Sequence, residues 1–186
     1  MNGQPGKFNA FIYDPLLRTA LRPLRQRVLS KLPPDKYIRV LDMCCGTGDQ
    51  LHYLSEQGYR ALQGVDLSGD MLSAAKRKLP HVKFALADAA HTAFSDAVFD
   101  IIIITLALHD KEQRAREDIL REAGRLLRPG GRLIVADFLF DDKTRRRSRN
   151  IITLIEYVAG GDHYKNFRDY LQRGAFRGSC PENFLR

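Results

Sequence analysis

Asp42, Asp66 and Asp88, with Asp49 close by, are the residues whose type and spacing could do chemistry together. Asp42 lies in a short apolar run (Ile38, Val40, Leu41, Met43) that passes at once into Cys44-Cys45-Gly46-Thr47-Gly48-Asp49. Leu51 and Leu54 follow at helical spacing, so the stretch reads as strand, tight turn, helix. Gly46 and Gly48 can take positive φ and carry no Cβ, so backbone amides there can face a ligand at close range.

Dinucleotide sites and S-adenosylmethionine (AdoMet) sites share that arrangement, and the residues between the glycines separate them. The dinucleotide fingerprint wants glycine where Cys44 and Asp49 stand. An aspartate at a helix N-terminus repels the diphosphate this end otherwise attracts. Asp42 and Asp49 suit a ligand carrying an ammonium and a sulfonium cation, although Asp49 can equally cap the next helix. Asp66 ends the apolar segment Ala61–Val65, twenty residues after Gly46, the spacing at which an acid reaches ribose hydroxyls. Asp88 ends Val82–Ala87 and can accept from an exocyclic amine such as adenine presents. Alone it reads as a loop aspartate; beside Asp42 and Asp66 it reads as part of one site.

His109 stands just past the fourth strand, with Asp110 adjacent, where a general base can take a proton from an acceptor. The competing reading is a histidine that packs beneath, or caps, the following helix. Asp137 is a second, weaker candidate base.

These residues need strands and helices to position them. Asp14-Pro15 opens a helix to about Ser30, with Leu17, Leu21, Leu24 and Val28 on one face and Arg18, Arg22 and Arg25 beside it. Pro23 should kink or split it. A basic amphipathic helix of this kind can lie on an anionic membrane, but snorkelling arginines on a packed helix are favoured. Ser68 caps a helix through Lys78, and Val98–Thr105, with its four consecutive isoleucines, is a strand buried on both faces. Lys111–Leu127 is helical, Arg128-Pro129-Gly130-Gly131 breaks it, and Arg132–Phe138 is the fifth strand. Asp142–Ala159 and Asp162–Gln172 read as two helices divided by Gly160-Gly161. Alternating strands and helices predict an α/β, Rossmann-like, doubly wound parallel sheet with its ligand beyond the strand C-termini.

The 186 residues suit one domain with a full core: a helical lid at 1–34, a cofactor-binding core at 35–140, and C-terminal helices and tail at 141–186. Formal net charge of +8 favours anionic partners without naming one. The run K-T-R-R-R-S-R at 143–149 has no interleaved aromatics, which reads as a solvated helix start rather than a specific nucleic-acid site. Cys44, Cys45 and Cys180 form no C-x-x-C pair, so neither disulfide framework nor metal site is indicated. The absence of a signal-peptide core and of any span-length apolar stretch leads us to expect a cytoplasmic protein.

The ordered set V-L-D-M-C-C-G-T-G-D, G-V-D-L-S-G-D-M-L, A-D-A, F-D-I-I-I-I-T-L-A-L-H-D and L-L-R-P-G-G-R-L-I-V-A-D-F resembles the class I AdoMet-dependent methyltransferases. It is most similar to the group holding the ubiquinone/menaquinone C-methyltransferases and phospholipid N-methyltransferases, over about Val40 to Phe138. The resemblance implies that Asp42, Cys44, Gly46, Thr47 and Gly48 surround the methionine end of AdoMet or its product S-adenosylhomocysteine. It places Asp66 and Leu67 at the ribose and adenine edge, Asp88 and Ala89 at adenine, and Thr105 at the floor. Tyr13 and its helix have no place in the sheet and are expected over the cofactor as part of a lid. Cys44 replaces the family's usual first glycine, and Ala136-Asp137-Phe138 departs from the E-x-S of the quinone enzymes.

The expected acceptor is a small or lipid-like molecule, because no N/D-P-P-Y follows the fourth strand. A basic protein binding membrane or nucleic-acid surfaces, with a vestigial cofactor fold, and an NAD-dependent oxidoreductase are the alternatives. The family normally adds two more strands, and residues 173–186 have glycine and proline where such a pair would form. The sheet order should therefore be 3-2-1-4-5, lacking the last two strands. Its open fifth strand would be covered by residues 151–158 and the next helix, or by a second copy in a homodimer.

Overall fold

The computed structural model describes residues 21–138 and 162–173, with residues 144, 146, 149, 150, 152, 153 and 157 between them. Tyr13, the start of the expected lid, the tail from residue 174 and most of 151–158 lie outside the described residues. Compact packing divides the chain into two units: residues up to Thr105 with Ile119–Ala136, and Leu106–Asp118 with residues from Asp137 on.

The first unit holds five parallel strands, β1 (Val40–Met43), β2 (Leu62–Asp66), β3 (Lys83–Leu86), β4 (Phe99–Thr105) and β5 (Leu127–Ala136), in the order β3-β2-β1-β4-β5. The helices are α1 (Arg22–Leu29), α2 (Asp49–Glu56), α3 (Gly69–Lys78), α4 (Gln113–Leu126) and α5 (His163–Gln172). Central β1 is wholly buried, pairing Asp42 with Gly64 of β2 and Ile103 of β4. Ile101, Ile102, Ile103 and Ile104 are at most 2% exposed, as expected for a strand covered on both faces. Each such side chain contributes roughly 1.5–3 kcal/mol by burial.

Local signals set most boundaries. Ser68 Oγ accepts from Met71 N–H at 3.3 Å, capping α3 as expected. Pro23 falls in the first turn of α1, where its missing N–H costs nothing, so a described helix starts there, as the expected split allows. One boundary differs from the expectation. Pairing in β5 begins at Leu127 opposite Phe99, directly after α4, and resumes at Arg132 opposite Ile101. Residues 128–131 therefore form a bulge within the strand, not a linker before it. Gly130 permits the bulge with φ +77°, and a Cβ on Gly131 would come within 2.9 Å of the Arg128 carbonyl.

In the second unit, α5 buries Phe167 and Tyr170. Arg116 binds three partners there: Nε donates to the Leu108 carbonyl (3.0 Å), Nη2 to the Asn166 carbonyl (2.9 Å), and Nη1 pairs with Asp169 (3.2 Å). One guanidinium thus ties the segment after β4 to α5.

Candidate active site

The parallel sheet brings its acids to one edge, because Asp42 stands near the C-terminal end of β1, Asp66 ends β2, Asp88 follows β3 and Thr105 ends β4. Asp42 is 2% exposed, and its pKa is pushed up to about 8, first by burial and then by the charge of Asp66, against the pull of Arg25. Asp66 is differently placed: Oδ2 accepts from Gly46 N–H (2.8 Å) and Oδ1 from Ser68 N–H (2.9 Å). An ionised carboxylate has about four lone-pair sites, so these bonds leave capacity for a ligand's hydroxyls.

The turn alternates left-handed residues, with φ of 59° at Cys44, 53° at Gly46 and 75° at Gly48. That is why the family's usual glycine position tolerates Cys44 only at a conformational cost. Gly48 also needs its missing Cβ, which would sit 3.2 Å from Ala75 Cβ. A Cβ on Gly46 would meet nothing within 4 Å, so the space beside it is open. Thr47 is half-buried between the two glycines. Leu67, 72% exposed, leaves an apolar surface next to Asp66, and Ala89 is buried. Asp88 is exposed, with Oδ1 accepting from Ala90 N–H at 2.9 Å. Thr105 Oγ1 is buried with no hydrogen-bond partner among the described residues.

The structure reassigns Asp49. Its carboxylate pairs with Arg25 (Oδ2, 3.2 Å) and Lys78 (Oδ1, 2.5 Å), with no side-chain cap on α2, so neither ligand contact nor capping describes it. Arg25, 7% exposed, is correspondingly buried and does not snorkel. Sequence reading passed over Gln50, whose two side-chain polar atoms are buried without partners among the described residues. A polar residue in a helical pattern reads as surface, and nothing local marks it otherwise.

Two features test the fit of a bound group. Three of the turn's amides face inward: Cys45 N–H donates to the Val65 carbonyl (3.0 Å), Gly46 N–H to Asp66, and Gly48 N–H to the Cys45 carbonyl (2.9 Å). The expectation that these amides face a ligand is corrected, because folding the turn uses them. A diphosphate would need those donors, whereas a cation needs the carboxylates, and Asp42 and Asp66 supply them. The open space at Gly46 and the orphaned Thr105 hydroxyl also suit AdoMet.

In the second unit, His109 is 6% exposed and its Nδ1 lies 2.7 Å from Asp137 Oδ1. An ionised carboxylate only accepts, so Nδ1 carries the hydrogen in the bond to Asp137. Asp137 Oδ2 also accepts from Leu108 N–H (2.8 Å) and His109 N–H (3.2 Å), which makes it the residue that orients the ring. The imidazole packs edge-on to Phe138 and Phe167, with centroids 4.8 and 6.1 Å away. Helix α4 starts only at Gln113, and packing plus orientation, not helix capping, describes His109.

Comparison with known proteins agrees with this geometry. Residues 40–131 match the family described as methyltransferase domain. Methyltransferase GfsG of Streptomyces halstedii is 32% identical over 133 residues, 68% of this chain and 46% of that protein. The ubiquinone/menaquinone biosynthesis C-methyltransferase UbiE of Campylobacter jejuni is 32% identical over 124 residues, 63% of this chain and 52% of that protein. This chain therefore spans about half the length of these curated relatives. The crystal structure of an S-adenosylmethionine-dependent methyltransferase from Mesorhizobium loti superposes with TM-score 0.55 at 27% identity, covering 64% of this chain and 54% of that one. The strand order, the cation-suited acids and these relatives together assign residues 40–131 to the class I, S-adenosylmethionine-dependent methyltransferase family.

Proposed function

We propose that this protein transfers a methyl group from AdoMet to a small, lipid-like acceptor. The observation that carries the reading is the turn whose amides are used internally beside two strand-end carboxylates. Asp42 faces the cofactor's cationic methionine end, with Cys44, Gly46, Thr47 and Gly48 forming the wall. Asp66 receives the ribose hydroxyls, Leu67 and Ala89 pack on adenine, Asp88 accepts from its amine, and Thr105 closes the floor. Bound AdoMet supplies a methyl group on a sulfonium, already an activated leaving group. The chain therefore contributes positioning and exclusion of water more than chemistry. Where the acceptor atom carries a proton, His109 removes it at Nε2, and Asp137 holds the ring in the required tautomer. The similarity to UbiE supports a lipid-like acceptor. No helix among the described residues is long and apolar enough to cross a membrane, so contact with a bilayer would be peripheral.

Calorimetry with AdoMet, S-adenosylhomocysteine and NAD tests the cofactor assignment. AdoMet and its product should bind in the micromolar range, about −8 kcal/mol, with no heat from NAD. Tight NAD binding would overturn it. Transfer of labelled methyl groups into an apolar extract tests the acceptor class. His109→Gln should lower that rate about 10²–10⁴-fold if the accepting atom loses a proton, and an unchanged rate would remove His109 from the chemistry.

A further inference from the structure

The sheet has a second edge, where its strands begin, opposite the one that holds the acids. Lys36 and Arg39 lead into β1, Arg60 leads into β2, and Lys83 opens β3. These three strands are neighbours, about 4.8 Å apart, so the four cations start from adjoining points along one line. Arg39, Arg60 and Lys83 are exposed, and no carboxylate among the described residues pairs with any of them. Lys36 is half-buried, with Nζ 3.9 Å above the Tyr59 ring. Two acids adjoin this loop. Asp100 accepts from Arg39 N–H (2.6 Å) and pairs with Arg128 (2.5 Å), and Asp35 accepts from Tyr37 N–H (2.9 Å).

Tyr37 stands between Lys36 and Arg39 and is 77% exposed. Its loop is tied at both ends: Arg60 N–H donates to the Lys36 carbonyl (2.9 Å), Tyr59 O–H donates to the Pro33 carbonyl (2.6 Å), and Ile38 is buried. A tyrosine on the surface is ordinary by itself. One held on a fixed backbone among cations offers a ring face to a ligand at little ordering cost. A bilayer and a nucleic-acid strand are both polyanionic, and the ring decides between them. Peripheral membrane surfaces insert several apolar side chains. Among the described residues, Tyr37 is the exposed large hydrophobic residue of this edge, whereas Leu67 and Leu86 lie where strands end. A bilayer here would also hold the cofactor edge away from the lipid. A single strand carries phosphates for the cations and unpaired bases for the ring, and every base has a face that can stack. A duplex hides those faces.

We propose that the edge where the strands begin is a sequence-independent site for single-stranded nucleic acid, with Arg39, Arg60 and Lys83 on its phosphates and a base stacked on Tyr37. The site does not depend on the identity of the methyl acceptor, and the cofactor edge stays open while it is occupied. K-Y-I-R at 36–39 has the aromatic interleaved with cations that the arginine run at 143–149 lacks.

Fluorescence anisotropy on the full chain tests this with labelled oligothymidylate of about 12 nucleotides, an abasic strand of the same length, and a duplex. Oligothymidylate should bind more tightly than the other two. Three phosphate contacts predict a slope of log affinity against log salt of about −2, at roughly −0.7 per phosphate. Arg39→Gln/Arg60→Gln should weaken binding about tenfold or more and bring the slope to about −0.7. Tyr37→Ala should weaken oligothymidylate about 5- to 150-fold and leave the abasic strand unchanged, and Tyr37→Phe, which keeps the ring, should bind like the parent. All three positions are exposed, and S-adenosylhomocysteine affinity should not change in any of these variants. Absence of oligothymidylate binding overturns the proposal, as does parental affinity in Tyr37→Ala. Equal losses in Arg146→Gln/Arg149→Gln and Arg39→Gln/Arg60→Gln would also overturn it, by showing diffuse charge attraction. Retention on phosphatidylserine vesicles that needs Arg39 and Arg60, without strand binding, would overturn it in favour of a membrane surface.

Discussion

Cys44 holds a left-handed backbone, φ 59°, and Gly46 and Gly48, which follow it in the same turn, hold the same region. That conformation costs a side-chain-bearing residue about 1–2 kcal/mol, partly offset by the roughly 0.5–1 kcal/mol of extra chain entropy that glycine loses on folding. Cys44→Gly should therefore raise the urea midpoint slightly, by up to about 1 kcal/mol in stability, while Cys44→Ala should not. Equal effects in the two variants would show that the strain is absent. Asp66 permits a sharper test. Asp66→Ala removes its bonds to ligand and turn together, at about 1.5–3 kcal/mol for each charge-assisted bond. S-adenosylhomocysteine affinity should fall by at least an order of magnitude, and parental affinity would make the ribose assignment wrong.

Asp42 links the site to pH. Below its unfolded value of 3.8 both states are protonated and it contributes nothing. Between 3.8 and about 8 the folded chain keeps a proton that the unfolded chain has lost, so stability falls as pH rises, and above about 8 the loss is constant. Asp42→Asn should thus stabilise the protein more at pH 8.5 than at pH 5. A cationic ligand favours the ionised form, so binding near neutral pH should release a proton. Calorimetry in buffers of different ionisation heat should detect that proton in the parent and not in Asp42→Asn.

At the scale of elements, a clamp holds the loop before β4 to α4. Glu122 Oε1 accepts from Thr92 N–H (2.8 Å) and Oγ–H (2.6 Å), and Arg125 grips both Glu122 oxygens and the Phe94 carbonyl. The Arg125 hydrogen bonds hold Glu122 down at a pKa of about 2, so its stabilisation is present above the unfolded value of 4.5 and lost as pH falls through 2. Glu122→Gln should cost on the order of 1–3 kcal/mol at pH 7, a difference that narrows on acidification through this window. A constant difference across pH would show that the charge is not what matters. In β2, a Cβ on Gly64 would come within 2.8 Å of both Cys45 Sγ and Phe84, and Gly64→Ala should destabilise by about 1–3 kcal/mol. The apolar run Ala61–Val65 places Gly64 in a strand; only the neighbouring side chains show why it must be glycine.

Across the whole molecule, the site's acids were readable because each is a local signal, a charge at the end of an apolar run, with turn glycines close behind in the case of Asp42. Parallel topology then brings strand ends to one edge without further information. The lid expected over residues 8–30 is a different kind of claim, since it concerns a segment outside the sheet. Protease protection of that segment should rise when S-adenosylhomocysteine is added, and unchanged cleavage would count against it.

The amino-acid sequence by itself determined the five-stranded parallel order and the edge where the cofactor belongs. It did so through periodicity, caps and glycines, which act over a few residues. Tertiary structure alone decided which charges are spent on the fold and which are left for ligands. Asp49 is taken by Arg25, 24 residues earlier, and His109 is oriented by Asp137, 28 residues later. No local pattern encodes such pairings, because a side chain's partner is set by which helix or strand end the folded backbone brings beside it.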